Sequence, residues 1–147
     1  MNILLLSAGG PACHGVIKSL KDINFDGKVV SVDCNELSAG FHLSDSYYIV
    51  PTAFDENYIT ELLKIVSKEK IDVILPTSSN EIISITKNLD KFNGVKLFMS
   101  DYESIVNCSD KLKFYEKCKD LFPLPKTSLD SSDIQFPLVC LTVSWGH

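Results

Sequence analysis

Two short segments carry the residues best suited to chemistry. The first is Ser7-Ala8-Gly9-Gly10-Pro11-Ala12-Cys13-His14-Gly15, which follows an apolar run and precedes a helical pattern. Glycines at such a point let the backbone turn tightly and bring N–H groups to an anion at a helix N-terminus. A dinucleotide fingerprint started at Gly9 would need glycines at positions 11 and 14, where this chain has Pro11 and His14. The fingerprint therefore fails, although Asp33 ends the second apolar run, where an acid could hold a ribose hydroxyl. The second segment is Pro76-Thr77-Ser78-Ser79-Asn80-Glu81, whose hydroxyls and Asn80 are good N-cap groups for a following helix. His14 and His42 have no sequence partner that would make either a base or a metal ligand, and read as ordinary polar residues. The sequence holds no nucleophile elbow, phosphate-binding P-loop or zinc-protease motif, so it predicts no catalytic residue and no metal site.

The elements that position these loops are read from hydrophobic period. Ile3–Leu6, Val29–Val32, Tyr47–Val50, Val73–Leu75 and Val95–Met99 are short, continuous apolar runs, the pattern of strands buried on both faces of a parallel sheet. Between them Cys13, Val16, Ile17 and Leu20 repeat at the spacing of one helix face. Ile59, Leu62, Leu63 and Val66 do the same, as do Ile82, Ile85 and Leu89. Ser100 to Glu103 has capping-box form, and Asp110 to Leu121 predicts a further helix stopped by Pro123 and Pro125. Asn35 to Ser46 predicts a loop or a short helix. Strands joined by helices make right-handed parallel crossovers. The prediction is a Rossmann-like, doubly wound α/β sheet of about five strands, order 3-2-1-4-5, with helices on both faces. Ligands in such sheets sit at the carboxyl ends of the strands where the winding reverses. Gly9 and Gly10 would face Asn80 and Glu81 across that crevice.

Bulk composition excludes several classes. The 147 residues are 45% hydrophobic and 22% charged with a net charge of −5, globular and too acidic overall for a nucleic-acid or anionic-membrane surface. Cys13, Cys34, Cys108, Cys118 and Cys140 form no CxxC pair and read as reduced thiols. The amino terminus lacks a basic region and a long apolar stretch, which predicts no signal peptide, and no apolar run reaches the ~18–20 residues of a membrane span. The expected location is cytoplasmic.

Several segments, taken in order, resemble the amino-terminal domain of ATP-grasp ligases, most of all the carbamoyl-phosphate-synthase large-subunit-like group. They are Met1 to Gly10, Val32-Asp33-Cys34-Asn35-Glu36-Leu37-Ser38, Ser44 to Pro51, and Asp72-Val73-Ile74-Leu75-Pro76 followed by Glu81. Ser109-Asp110-Lys111 resembles the step into the family's central domain, and the family counterpart of Lys111 contacts the nucleotide. Pro123-Leu124-Pro125-Lys126-Thr127 and Phe136-Pro137-Leu138-Val139 look like the two strands that follow there. The resemblance implies a Rossmann-like domain over residues 1–109, with a linking helix and the start of a central domain over 110–147.

The departure comes after Val139. The family continues with a lysine-bearing strand and a glycine-rich loop; this chain reads Cys140-Leu141-Thr142-Val143-Ser144-Trp145-Gly146-His147, and no lysine follows Lys126. Phosphoryl transfer depends on positioning and charge neutralisation, and losing one positioned donor costs roughly 10²–10³ in rate. The resemblance thus implies an amino-terminal fragment of an ATP-dependent carboxylate–amine ligase without turnover alone. ATP and magnesium would serve the full-length relative, with neither held tightly by this chain. A small-molecule substrate would meet Gly9, Gly10, Asn80 and Glu81. Two other readings remain: a stand-alone Rossmann domain for a dinucleotide or nucleotide-sugar, favoured by Asp33, and a non-catalytic interaction module that self-associates through Asp110–Leu121 and the tail Phe136–His147.

Overall fold

The computed structural model describes residues 1–135, 139 and 140. The chain divides into two compact units, Met1–Met99 and Ser100–His147.

The first unit is a five-stranded sheet in the order β3-β2-β1-β4-β5, every pair parallel, as the apolar runs predict. Its strands are β1 (Asn2–Leu5), β2 (Lys28–Asp33), β3 (Ser46–Ile49), β4 (Val73–Leu75) and β5 (Lys96–Leu97). Side chains along a strand alternate between faces, and the core divides accordingly. Leu4, Leu6, Val30 and Val32 join one buried cluster, whereas Ile3, Leu5 and Val29 join the other. A strand must be apolar at every position to feed both clusters, which is why β1 reads as an unbroken run.

Helix α1 (Pro11–Asp22) starts with proline at its first position, where the missing N–H would have had no helical partner anyway. It buries Cys13 and Ile17 against Ile3, Leu5 and Phe41. Helix α2 (Tyr58–Glu69) buries Tyr58, Ile59, Leu62 and Ile65 in the opposite cluster and ends on Lys70 in the left-handed region, φ +50°. Each fully buried aliphatic side chain such as Leu62 contributes roughly 1.5–3 kcal/mol. The carboxyl end of α2 is clasped to the sheet: Asn2 Nδ2 donates to the Glu69 carbonyl at 2.7 Å, Lys28 pairs with the Glu69 carboxylate at 2.6 Å, and the Tyr48 hydroxyl donates to it as well. Hydrogen bonds from Lys28 and then Tyr48 hold the Glu69 carboxyl below its ordinary range.

Several boundaries differ from expectation. β5 covers two residues rather than five, with Phe98 adding one backbone bond to Ile74. Asn35–Ser46, by contrast, is as expected, a loop with one short 3₁₀ turn, Ala39–His42. Helix α3 (Ser79–Thr86) stops before Leu89, which sits in a separate 3₁₀ turn.

In the second unit, α4 (Tyr102–Ser109) is capped by Asp101, whose carboxylate accepts from the Ser104 amide at 2.9 Å, one residue later than the predicted box at Ser100. A carboxylate is the stronger acceptor for the helix's first amides. Asp110 likewise caps α5 (Lys111–Cys118), accepting from the amides of Leu112 and Lys113 at 3.0 Å. Helix α5 ends at Cys118 rather than Leu121, and Lys117 of α5 bonds Glu103 of α4 at 2.9 Å. Residues 123–127 form no strand. The strand expected at Phe136–Val139 and the tail beyond Cys140 lie outside the described residues, Val139 and Cys140 excepted.

Candidate functional site

In a parallel α/β unit every helix begins where a strand ends, so the loops after β1, β2 and β4 and the start of α2 converge on one edge of the sheet. Gly9, Gly10, Asn80 and Glu81 all lie on that edge. Thr77 Oγ1 donates to the Leu6 carbonyl at 2.7 Å, tying the β4 loop to the β1 loop. Lys111 belongs to the second unit, half-buried at the first position of α5.

The glycine loop is held from inside. Ser7 takes a positive φ of 55°, the left-handed region that non-glycine residues seldom enter. This turns the Gly9 amide onto Oδ2 of Asp33 at 2.7 Å, while Oδ1 accepts from the Asn35 amide at 2.9 Å. A Cβ on Gly9 would fall 2.9 Å from Ser38 Oγ and 3.4 Å from Asp33 Oδ2, so glycine is what lets these two side chains close on the loop. Gly40 makes a tighter approach, since a Cβ there would meet the Ala8 carbonyl oxygen at 2.3 Å. The acid at the end of β2 thus fastens the loop, and an amide that a phosphate would need already has a carboxylate partner.

The second loop differs from its sequence reading. Neither the hydroxyls nor Asn80 cap α3: its N-cap, Ser78, makes no side-chain bond to the helix backbone, and its hydroxyl instead donates to Glu81 Oε2 at 3.1 Å. Glu81 is 7% exposed. Burial raises its carboxyl above the ordinary glutamate range and the Asp33 charge adds to this, while the hydroxyls of Ser7, Ser78 and Tyr58 beside it pull the other way. Tyr58 is not among the residues that the sequence singles out for a site. It opens α2, is 1% exposed, and its phenol is pushed up first by burial and then by Glu81. The same environment pushes the buried Cys13 thiol up to about 11, through burial, Glu81 and Asp33.

Among the described residues, four buried polar side-chain atoms make no aligned hydrogen bond: Tyr58 Oη, Ser38 Oγ, Asn80 Oδ1 and His14 Nε2. Buried polar groups normally have a partner, and leaving one without costs roughly 1–3 kcal/mol. The first three belong to this edge. The edge is therefore polar: Tyr58 and Glu81 are buried there, next to Ser7, Ser78 and Asp33. It carries two carboxylates and suits a donor-rich ligand better than an anion. Among the described residues no group of three or more His, Cys, Asp or Glu converges to hold a metal ion. A recess of about 180 Å³ lies at the amino ends of β2 and β3, lined by Ile17, Leu20, Phe25, Val29 and Leu43 with Asp45.

Comparison with known proteins places this geometry. Residues 3–98 match the family described as PylC-like, N-terminal domain. The carbamoyl phosphate synthase large chain of Clostridium acetobutylicum is 30% identical over 109 residues, which is 74% of this chain and 10% of that relative. Among solved structures, N5-carboxyaminoimidazole ribonucleotide synthetase from Thermotoga maritima superposes with a TM-score of 0.62 at 20% identity, covering 90% of this chain and 34% of that one. N5-carboxyaminoimidazole synthetase from Staphylococcus aureus, complexed with ADP, gives 0.61 at 21% identity, covering 81% and 29%. The chain spans about a tenth of the curated relative and about a third of these structures. Among the described residues no helix is long and apolar enough to cross a membrane.

Proposed function

Because the chain belongs to the PylC-like N-terminal domain family, we propose that it is the amino-terminal domain of an ATP-dependent carboxylate–amine ligase. Its edge at Gly9, Gly10, Asn80 and Glu81 forms part of the wall for the acceptor substrate. In such a ligase the carboxylate is activated as an acyl phosphate and captured by an amine. The observation that carries this reading is the junction of the two loops, Thr77 on the Leu6 carbonyl and Glu81 beside Ser7, at the reversal of winding where ligands sit in such sheets.

This edge does not fit a polyphosphate. Its foremost amide, on Gly9, is held by Asp33, and Glu81 adds a second carboxylate. ATP and its magnesium are therefore assigned to the rest of the ligase, with Lys111 as this chain's contribution to the nucleotide side. These 147 residues alone would bind substrate in the cytoplasm without turnover, and would associate with copies of themselves through surfaces that pack on further ligase domains. An ADP-release assay over amino acids and bicarbonate tests the first point. The expected result is no magnesium-dependent release above background; clear release would overturn it. Sedimentation at several concentrations tests the second, a strict monomer being the contrary result.

The dinucleotide reading is disfavoured by the same observation. A ribose-binding acid needs a free carboxylate face, and both oxygens of Asp33 already accept backbone N–H groups.

A further inference from the structure

We propose that the recess at the amino ends of β2 and β3 binds a free α-amino acid with a branched apolar side chain, Asp45 receiving its ammonium and Lys21 its carboxylate. The site is independent of the acceptor-side reading, since the length of β2, about 20 Å, separates it from the loops of Gly9 and Glu81. Its walls follow from how α1 ends. Asn24 takes a positive φ of 51°, which lets its amide reach the Lys21 carbonyl at 2.9 Å and the Phe25 amide reach the Leu20 carbonyl at 3.0 Å. Such a reversal carries the residue after the left-handed one back onto the helix. Phe25 accordingly joins Leu20 and Ile17 in one apolar cluster. Gly27 permits this, since a Cβ there would fall 2.5 Å from the Phe25 ring. With Val29 and Leu43 these side chains enclose the cavity of about 180 Å³.

Volume and charge name the occupant. A water's share of the liquid is about 30 Å³, so the cavity has room for about six heavy atoms. A branched four-carbon side chain fills most of it and leaves the head of the amino acid outside. Ile17 and Val29 are buried at the floor, whereas Lys21, Asn24 and Asp45 are exposed at the mouth. The mouth therefore carries one charge of each sign above an apolar floor, the usual make-up of a small-molecule pocket. Asp45 is fixed in place: its amide donates to the Val29 carbonyl at 2.9 Å, and its Oδ2 accepts the Val29 amide at 2.7 Å. Its Oδ1 is left for a ligand. Among the described residues Lys21 enters no ion pair, so its long side chain can turn to a carboxylate. A zwitterion answers both charges at once. A hydrocarbon with a single charge answers one and meets the other as a like charge.

The test uses the full chain, with the amide shifts of Lys21, Asn24, Phe25 and Asp45 followed by NMR. The probes are leucine, glycine, 3-methylbutylamine and 4-methylpentanoate at constant ionic strength. A ligand the size of leucine supports a dissociation constant on the order of 1 mM. The expected result is saturable shifts with leucine and none with glycine, which has the head alone. Binding should be roughly tenfold weaker for each singly charged probe, and for leucine in both Lys21→Gln and Asp45→Asn, the loss of one charge-assisted bond. Lys21 is exposed, and asparagine at 45 keeps an acceptor for the Val29 amide, so both variants retain the fold. Equal affinity for leucine and either singly charged probe would overturn the zwitterion assignment. No saturable response to leucine up to about 20 mM, in a chain whose amide spectrum is that of the folded protein, would overturn the site. Shifts at Gly9 and Glu81 in place of these four amides would overturn it too, while leaving the acceptor-side reading standing.

Discussion

Asp33 accepts the Gly9 amide at 2.7 Å, so the acid at the end of β2 fastens the glycine loop after β1 to its neighbouring strand. Replacing it by asparagine keeps the shape and removes the charge. The expected loss is roughly 1–2 kcal/mol, since a hydrogen bond to a charged acceptor is worth more than a neutral one. Chemical denaturation measures it, and faster exchange of the Gly9 amide should accompany it.

Gly40 and Gly15 should respond in opposite directions to alanine. At Gly40 a methyl would collide with the Ala8 carbonyl at 2.3 Å, and backbone there cannot move without opening the loop. Overpacking of this kind costs roughly 1–3 kcal/mol. At Gly15, inside α1, nothing lies within 4 Å of an added Cβ, so alanine should stabilise by about 0.5–1 kcal/mol through helix propensity. Thermal melting of the two variants checks the pair.

Glu81 predicts a specific dependence on pH. Its carboxyl is raised in the folded chain, first by burial, so the folded state favours the proton more than the unfolded state does. The stability this group contributes is complete below its unfolded value and is lost as pH rises through the raised folded value. Glu81→Gln should therefore melt higher than the parent at neutral pH, and the gain should vanish in acid. A variant that melts lower than the parent at neutral pH would show that Glu81 is stabilised as an anion.

The cysteines offer a reading of the carboxyl edge from another side. Cys13 is fully buried with its thiol pushed up to about 11, whereas Cys34, Cys108 and Cys140 are exposed. Alkylation of the native chain at neutral pH should leave Cys13 unmodified and require unfolding to reach it. Cys34 lies next to Asp33, and its thiol is also raised, first by burial and then by the Asp33 charge. It should react more slowly than an unperturbed exposed thiol, and more slowly still when a substrate is bound at this edge.

The sheet was legible in the sequence because each strand must feed two cores. Ile3 and Leu5 go one way, Leu4 and Leu6 the other, and only an unbroken apolar run does this. The positions of Gly9, Gly10, Asn80 and Glu81 followed from the winding rule alone. Tyr58 was not legible, because in one dimension it is simply the first apolar residue of α2. Only the topology carries the start of α2 to the edge where Glu81 lies. Asp33 stands where an acid could hold a ribose, because spacing says where an acid lies and not which amide turns toward it. That turn depends on Ser7 at φ +55°, a conformation its identity does not announce. Thr77 and Ser78 looked like helix caps, yet the Leu6 carbonyl and the Glu81 carboxylate, both distant from any local pattern of capping, claim their hydroxyls.

The central claim is that the edge at Gly9 and Glu81 belongs to a substrate and not to a nucleotide. Titration of the full chain with NAD(H) and with ADP, read at the amides of Gly9, Gly10 and Glu81, tests it most directly. The account predicts no saturable shift of these three amides with either nucleotide up to about 1 mM, because the Gly9 donor is held and two carboxylates face the ligand. Saturation of the same amides with a micromolar dissociation constant would contradict it.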